Sequence, residues 1–139
     1  MAIELNFTIE GGDFSNAGKA SSKIKKVLKQ LNIEAKIIKK IVVAVYEAEV
    51  NVAAHAYSGN VKALVGENDV VVMVSDSGPG IENVELAMKE GYSTASKEVR
   101  EMGFGAGMGL ANIKRNTDEL KIETKVGEGT TVTFSLNYS

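Results

Sequence analysis

The segment that most constrains the fold is an apolar helical pattern over residues 33–56, for which Asn32 is the predicted N-cap. At 100° per residue, five of its apolar side chains fall in one stripe narrower than about a quarter-turn. The stripe consists of Ile37, Ile41, Val45, Ala48 and Val52. We therefore expect this stripe to face a β-sheet.

The same helix carries a second, polar stripe: Glu47, Asn51 and His55 follow one another at four-residue spacing, with apolar residues on both sides. Burying a carboxylate and an amide there costs free energy unless a partner satisfies them. The spacing leaves two interpretations open. One is a structural polar seam bonded to neighbouring groups, and the other is a pocket wall that offers a carboxylate and a metal-binding amide. Because the chain has no cysteine and no second histidine, a zinc site does not fit.

The rest of the chain predicts five strands and three further helices, with Asp13 as the N-cap of the first helix. The strands are expected at 3–9, 61–65, 70–74, 120–126 and 130–136, and the helices at 14–31, 84–89 and 109–117. Tight turns join adjacent strands, which predicts an α+β class: a two-layer sandwich with helices on one face of a mixed, largely antiparallel sheet. The length of 139 residues suits a single domain over 1–139.

Three glycine-rich turns carry the remaining signals. Asp76-x-Gly78-x-Gly80 follows a buried strand, so the carboxylate can accept a hydrogen bond from an exocyclic amine beside a flat ring. Glycines alternate over 103–109 directly before a helix, where freed backbone amides can cradle phosphates. Taken alone, the turn at 127–130 fits an ordinary hairpin. Neither the GxxxxGK[ST] loop nor the GxGxxG dinucleotide pattern is present.

Together, the helix motif and the three turns resemble, in order and spacing, the ATP-binding domain shared by gyrase, Hsp90, bacterial sensor histidine kinases and MutL. Within that superfamily the chain is similar to the anti-sigma-factor serine/threonine kinases of the RsbW and RsbT type. The helix motif is Glu47-Ala48-x-x-Asn51-x-x-x-His55-Ala56-Tyr57, and Gly91-Tyr92-Ser93-Thr94 with Asp118-Glu119 favours the stress-switch branch. The resemblance covers nearly the whole chain and implies a Bergerat-type ATP-binding fold.

The resemblance implies a kinase that transfers the γ-phosphate of Mg·ATP to a serine or threonine of a protein partner, either an antagonist-like substrate or a sigma factor. Glu47 would be the general base, Asn51 the magnesium ligand and Asp76 the adenine acceptor. The other implied nucleotide contacts are His55, Gly78, Gly80, Gly105, Gly107, Met108, Gly109, Leu110 and Thr130. The segment 90–108 would be an ATP lid. Some relatives have a basic residue where this chain has Phe104-Gly105-Ala106, which leaves Lys97 and Arg100 as candidate phosphate contacts.

Charge and hydropathy limit the other function classes. The net charge of −2 argues against broad attraction to nucleic acid or anionic membrane. The longest apolar run, residues 41–46, is far shorter than the roughly 20 residues that span a bilayer, so we expect a soluble, cytoplasmic protein. The only histidine lies in the pocket helix, which disfavours a sensor histidine kinase. The alternative function is a non-catalytic, ATP-gated protein that sequesters a sigma factor or another regulator, and a homodimer stays open.

Overall fold

The computed structural model describes residues 2–81, 84, 88 and 109–139. The described strands and helices, in chain order, are β1 (Ile3–Glu10), α1 (Lys19–Gln30), α2 (Ala35–His55), β2 (Ser58–Val65), β3 (Asp69–Ser77), α3 (Gly109–Arg115), β4 (Glu119–Lys125) and β5 (Gly129–Asn137). Of the helix predicted at 84–89, only Val84 and Met88 are described. The amide of Met88 donates to the Val84 carbonyl at 3.0 Å, the bond of a helical turn. The predicted lid at 90–108 lies outside the described residues.

The five strands form one sheet in the order β1-β2-β3-β5-β4. Every described pairing is antiparallel. The predicted α+β class is therefore confirmed, and the sheet expected to be mixed contains no parallel pair among the described strands. Tight turns join β2 to β3 and β4 to β5, which explains two of the four pairings, because such turns connect antiparallel neighbours.

The hydrophobic core lies between the sheet and α2. Alternate residues of β2 and β3 are buried while their neighbours are exposed or only partly buried, so the helices cover one face of the sheet. Four of the five residues of the predicted stripe on α2 are at most 2% exposed, and Ile37 at the helix start is partly buried. Phe134 of β5 is the largest fully buried side chain in the described chain. None of the described helices is long and apolar enough to cross a bilayer.

The predicted N-cap of the first helix is wrong. The helix α1 begins at Lys19, and Gly18 with a φ of 104° stands at the capping position. Asp13 accepts hydrogen bonds from Ser15 and Asn16 in a preceding short 3-10 turn. The cap of α1 comes from a distant part of the sequence: the carboxylate of Glu49, on α2, accepts the backbone amides at its start.

Glu49 is 1% exposed and makes three hydrogen bonds. Its carboxylate accepts the backbone N–H groups of Gly18 at 2.8 Å, Ala20 at 3.2 Å and Ser21 at 3.0 Å. These are first-turn donors of α1, which a helix cannot satisfy by itself. A negative charge there also complements the positive end of the helix dipole. Glu49 therefore joins α1 to α2.

The expected boundary between the first two helices also needs correction. Asn32 was the predicted cap of the second helix, but it has a left-handed φ of 59° and belongs to the turn that ends α1. Glu34 occupies the N-cap position of α2 and makes no side-chain capping bond. At the other end, residues 58–60 pair with β1 and β3 as the start of β2, three residues before the predicted strand.

Candidate functional site

The C-terminal half of α2 meets the start of α3 at one end of the fold. Glu47, Asn51 and His55 are all partly buried there. A Cβ atom on Gly109, the first residue of α3, would lie 2.8 Å from both the Nδ2 and the Oδ1 atoms of Asn51. Only a glycine allows this approach, because contacts under 3.0 Å force one group to move. The absence of a side chain at residue 109 therefore lets α3 lie directly against Asn51.

Glu47 has one partner among the described residues. The amide Nδ2 of Asn112, on α3, donates to its Oε1 atom at 3.3 Å. The carbonyl oxygen Oδ1 of Asn112 accepts in turn from the guanidinium of Arg115, also at 3.3 Å. A single long bond from a neutral amide leaves most of the acceptor capacity of Glu47 unused. Sequence reasoning missed Asn112, because no pattern in α3 links it to α2.

Two carboxylates on α2 therefore have opposite surroundings. Glu49 is fully buried and bonded to three backbone amides, as a structural seam residue would be. Glu47 is partly exposed and has little internal bonding. The structural interpretation considered for Glu47 thus fits Glu49 instead. A helical projection could have found it, since Glu49 lies only about 40° beyond the edge of the apolar stripe.

On the sheet side, Asp76 lies near the end of β3 and is partly buried. Its Oδ1 atom accepts the backbone N–H of Thr130 at 3.0 Å. Its Oδ2 atom has no hydrogen-bond partner within the described part of the chain. Burial raises the pKa of the Asp76 carboxyl above its ordinary value of 3.8, and the bond from Thr130 opposes that rise. One carboxylate oxygen is thus fixed, and the other is free to accept.

Gly129 and Gly78 let backbone segments pack closely around Asp76. A Cβ on Gly129, which has a φ of 149°, would lie 2.1 Å from the carbonyl oxygen of Asp76. A Cβ on Gly78 would lie 3.0 Å from the Cα atom of Ala56, just after α2. Neither glycine could be replaced without moving backbone. The hairpin turn at 127–130 therefore packs against the Asp76 segment.

The turn after β3 is bonded to the same hairpin. Gly80 has a φ of 77°, and a Cβ there would lie 2.6 Å from the carbonyl oxygen of Lys125. The backbone N–H of Ile81 donates to the hydroxyl of Thr124 at 2.9 Å. That hydroxyl lies 2.9 Å from the hydroxyl of Thr130. Sequence reasoning missed Thr124, although it follows Leu120 and Ile122 at the two-residue spacing of the partly buried side of β4.

The helix wall and the sheet wall are held against each other by a close contact. A Cβ on Gly59 of β2 would lie 2.8 Å from Cγ1 of Val52, the residue after Asn51. Gly59 pairs directly with Asp76 across β2 and β3. Asn51 and Asp76 therefore flank the same end of the sheet.

The other predicted site residues fall into two groups. Gly105, Gly107 and Met108 lie outside the described residues. Leu110 is 9% exposed and belongs to the hydrophobic core together with Ile113. Its predicted contact with nucleotide stays a prediction, and its side chain serves packing.

Comparison with known proteins identifies the architecture. Residues 13–136 match the model of the histidine kinase-like ATPase domain. The chain belongs to this ATPase domain family. The resemblance stated from the motifs is thereby confirmed, and membership implies that the domain binds ATP.

Relatives within the family are regulators of sigma factors and kinases by name. The chain is 33% identical over 135 residues to the "Anti-sigma F factor" of a Thermoanaerobacter species, covering 94% of this chain and 89% of that protein. It is 30% identical over 97 residues to the "Serine/threonine-protein kinase RsbT" of Bacillus subtilis, covering 67% of each. These similarities place the chain in the anti-sigma-factor and RsbT branch of the ATPase domain family.

A solved structure shows the same fold. The crystal structure of the RsbU and RsbW domains of a Mycobacterium tuberculosis protein matches with a TM-score of 0.64 at 21% identity. The match covers 96% of this chain and 31% of that longer chain. At this identity the likeness supports the α+β architecture and nothing about activity.

Proposed function

We propose that the chain is an ATP-dependent protein serine/threonine kinase that transfers the γ-phosphate of Mg·ATP to a serine or threonine of a regulatory protein. The observation that carries the proposal is the carboxylate of Glu47. It lies one helical turn from Asn51 and is held by a single amide at 3.3 Å. A protein that only binds ATP needs no carboxylate with free acceptor capacity at that place. The relative named as the kinase RsbT supports the same activity.

The residues around Asp76 fit an adenine ring. Its free Oδ2 atom is suited to accept the exocyclic amine, because an ionised carboxylate is purely an acceptor. Gly78 and Gly80 let the turn after β3 pack closely on Ala56 and Lys125 beside this carboxylate. Thr130 donates its backbone N–H to the other oxygen and so fixes the orientation of the carboxylate. Asp76 would thus favour an amine over the carbonyl of guanine.

Asn51 fits the role of magnesium ligand. Magnesium prefers oxygen ligands, keeps several waters and takes few protein groups. The side-chain amide of Asn51 makes no hydrogen bond with any described residue, and the close packing of Gly109 limits its movement. Bound magnesium would neutralise charge on the phosphates during transfer.

The chemical step assigned to this chain is deprotonation and orientation. Glu47 would accept the proton of a serine or threonine hydroxyl. At the same time the hydroxyl oxygen would form a bond to the γ-phosphorus, and the bond from the γ-phosphorus to the ADP oxygen would break. Asn112 would hold the carboxylate in place for that step. The protein contributes mainly positioning and electrostatic stabilisation in phosphoryl transfer. The segment 90–108 would exclude water as a lid, which stays a prediction, as do a cytoplasmic location and a homodimer.

A second function is favoured by the names of the relatives. Several are called anti-sigma F factors, which suggests that binding of a regulator is itself the output. In that case the chain would sequester a sigma factor in an ATP-gated manner without useful transfer. Both activities can reside on one domain, so the test must separate them.

The experiment is transfer of radiolabelled γ-phosphate from ATP to proteins encoded beside this chain or purified with it. We expect a labelled partner with the wild type, and loss of label with Glu47→Ala while ATP affinity stays within a few-fold. Glu123→Ala, an exposed glutamate of β4, is the matched control and should transfer at the wild-type rate. Saturable ATP binding together with partner binding but no labelled partner would favour sequestration over the kinase.

A further inference from the structure

The helical hairpin formed by α1, α2 and their connection has an unusual charge. Between residues 19 and 40 the chain has eight lysines and one acidic residue, Glu34. The whole chain has a net charge of −2, so the remainder is clearly acidic. We call residues 19–40 the basic hairpin. Such separation of charge steers partners of opposite sign toward one side of a protein.

A groove of about 610 Å³ lies along this hairpin between α1 and α2. Three lysines and several apolar side chains line it, among them Lys25, Lys29, Lys39, Ile33, Val42 and Val43. The three lysines are exposed and form no ion pair with any residue that the structure describes. Val43 is partly buried but does not pack on the core cluster. The groove therefore combines an apolar floor with unpaired positive charges.

This combination fits one class of occupant, an amphipathic acidic segment of a protein. Lys25 and Lys29 lie one turn apart on α1, and Lys39 lies on α2. Acidic side chains on both flanks of a docked helix could pair with them while its apolar face covers Val42 and Val43.

Nucleic acid and membrane fit less well. Among the described residues, the lining contains no aromatic side chain on which a base could stack. Membrane insertion would need an exposed apolar helix face, whereas the apolar residues of α1, Ile24, Val27 and Leu28, are buried in the core.

The groove reaches the stretch of α2 that precedes the candidate site. Val43 lies four residues before Glu47 on α2, which is about 6 Å along a helix. We propose that the groove docks an acidic amphipathic segment of the protein partner. A segment bound there runs along α2 within about one helical turn of Glu47. The inference rests on the proposed function only in taking the partner to be a protein.

The test uses a defined probe, a fluorescein-labelled peptide of about 18 residues, long enough to form a helix. It consists of glutamate and leucine, with the leucines at helical spacing. A second peptide has the same composition with the leucines scattered. Fluorescence anisotropy measures binding to the full chain. We expect the patterned peptide to bind and the scattered peptide to bind at least about tenfold more weakly.

Two charge-reversal variants separate the groove from general attraction. The first variant combines Lys25→Glu, Lys29→Glu and Lys39→Glu. It should bind the patterned peptide at least about tenfold more weakly than the wild type. The matched control reverses three exposed lysines of the same hairpin that do not line the groove: Lys23, Lys26 and Lys36. Because the two triple variants have the same net charge, the affinity of the control variant for the patterned peptide should fall no more than about threefold. Val43→Ser should also weaken binding several-fold.

Equal losses in the two triple variants would overturn the docking groove, because binding would then follow net charge alone. No binding of the patterned peptide to the wild type would overturn it as well. Tighter, groove-dependent binding of anionic phospholipid vesicles or of a DNA duplex would assign the surface to another class of partner. ATP affinity should be unchanged in the groove variants. If the patterned peptide binds but the transfer experiment with radiolabelled ATP labels no protein partner, the kinase is refuted and the groove stays intact.

Discussion

The two glutamates of α2 give the sharpest stability prediction. Glu49→Gln keeps the shape of the side chain but replaces one oxygen by an NH₂ group. In the wild type the N–H groups of Gly18 and Ala20 donate to the same Glu49 oxygen, Oε2. The oxygen that remains in the variant can still accept both of them. The NH₂ group would then face the N–H of Ser21, whose bond at 3.0 Å is lost.

The magnitude follows from that geometry. Leaving a buried donor unsatisfied costs about 1–3 kcal/mol, and two further bonds lose their charge assistance. We expect Glu49→Gln to lower the free energy of unfolding by about 2–3 kcal/mol, or roughly 6–12 °C in Tm for a chain of this size. Glu47→Gln loses one bond of 3.3 Å at a partly exposed site and should cost less than about 1 kcal/mol.

Urea and thermal unfolding followed by circular dichroism measure both variants. The effect on function should have the opposite order, with the larger loss at Glu47. Folded Glu49→Gln should bind ATP within a few-fold of wild type, whereas Glu47→Ala should slow phosphotransfer by about 10²–10⁴, the usual contribution of a general base. If Glu49→Gln unfolds within about 0.5 kcal/mol of the wild type, the carboxylate does not hold α1 to α2 as described.

Three further variants test the site. Asp76→Asn should weaken ATP binding about tenfold or more by calorimetry and remove discrimination against GTP; equal ATP and GTP affinity in the wild type would contradict the assignment. Burial raises the pKa of Asp76 in the folded chain above its ordinary value of 3.8, so the ionised carboxylate disfavours folding at neutral pH. Asp76→Asn should therefore not lower stability at pH 7. Below pH 3.8 the Asp76 carboxyl is protonated in both the folded and the unfolded chain, so the pH-dependent part of the difference in unfolding free energy between the wild type and Asp76→Asn should vanish there in acid titrations. Gly109→Ala should weaken magnesium-dependent ATP binding, since its Cβ would meet Asn51 at 2.8 Å; unchanged binding with the higher stability expected of alanine in a helix would contradict the contact. Asn112→Ala should lower the transfer rate several-fold without changing the KM for ATP, because it frees Glu47; a change in KM alone would argue against a positioning role.

Periodicity in the sequence predicted most of the architecture. The apolar stripe of α2 and the alternation along the strands fix which faces are buried, because burial depends on residue type and spacing. The pairing of β2 with β3 followed from the turn at residues 66–69. The helix ends were predicted less well. Asp13 and Asn32 have the composition of caps, but Glu49, some 30 residues away, satisfies the start of α1, and local patterns cannot show such a contact.

The candidate site was predicted from motif order rather than from spacing alone. Glu47 and Glu49 differ by two residues on one helix, and the sequence gives both an acidic side chain among apolar neighbours. Their difference depends on what lies opposite each face: backbone amides of α1 for Glu49, and the amide of Asn112 for Glu47. Both partners belong to other helices, so only the packing of three helices separates the two carboxylates.

That packing also links stability to the proposed chemistry. In angular projection the apolar stripe of α2 lies between Glu49 on one side and Glu47 on the other. A helix held on the sheet by its stripe could still rotate slightly about its axis. The three bonds from Glu49 to α1 oppose such rotation, and the packing of Val52 on Gly59 opposes it from the sheet side. Because Glu47 lies on the same rigid helix, its position relative to Asp76 is set by contacts that never touch the nucleotide. Weaker bonding between Glu49 and α1 should therefore misplace Glu47 and reduce phosphotransfer before it reduces ATP binding. Glu49→Asp, whose shorter side chain reaches α1 less well, should show that order of effects.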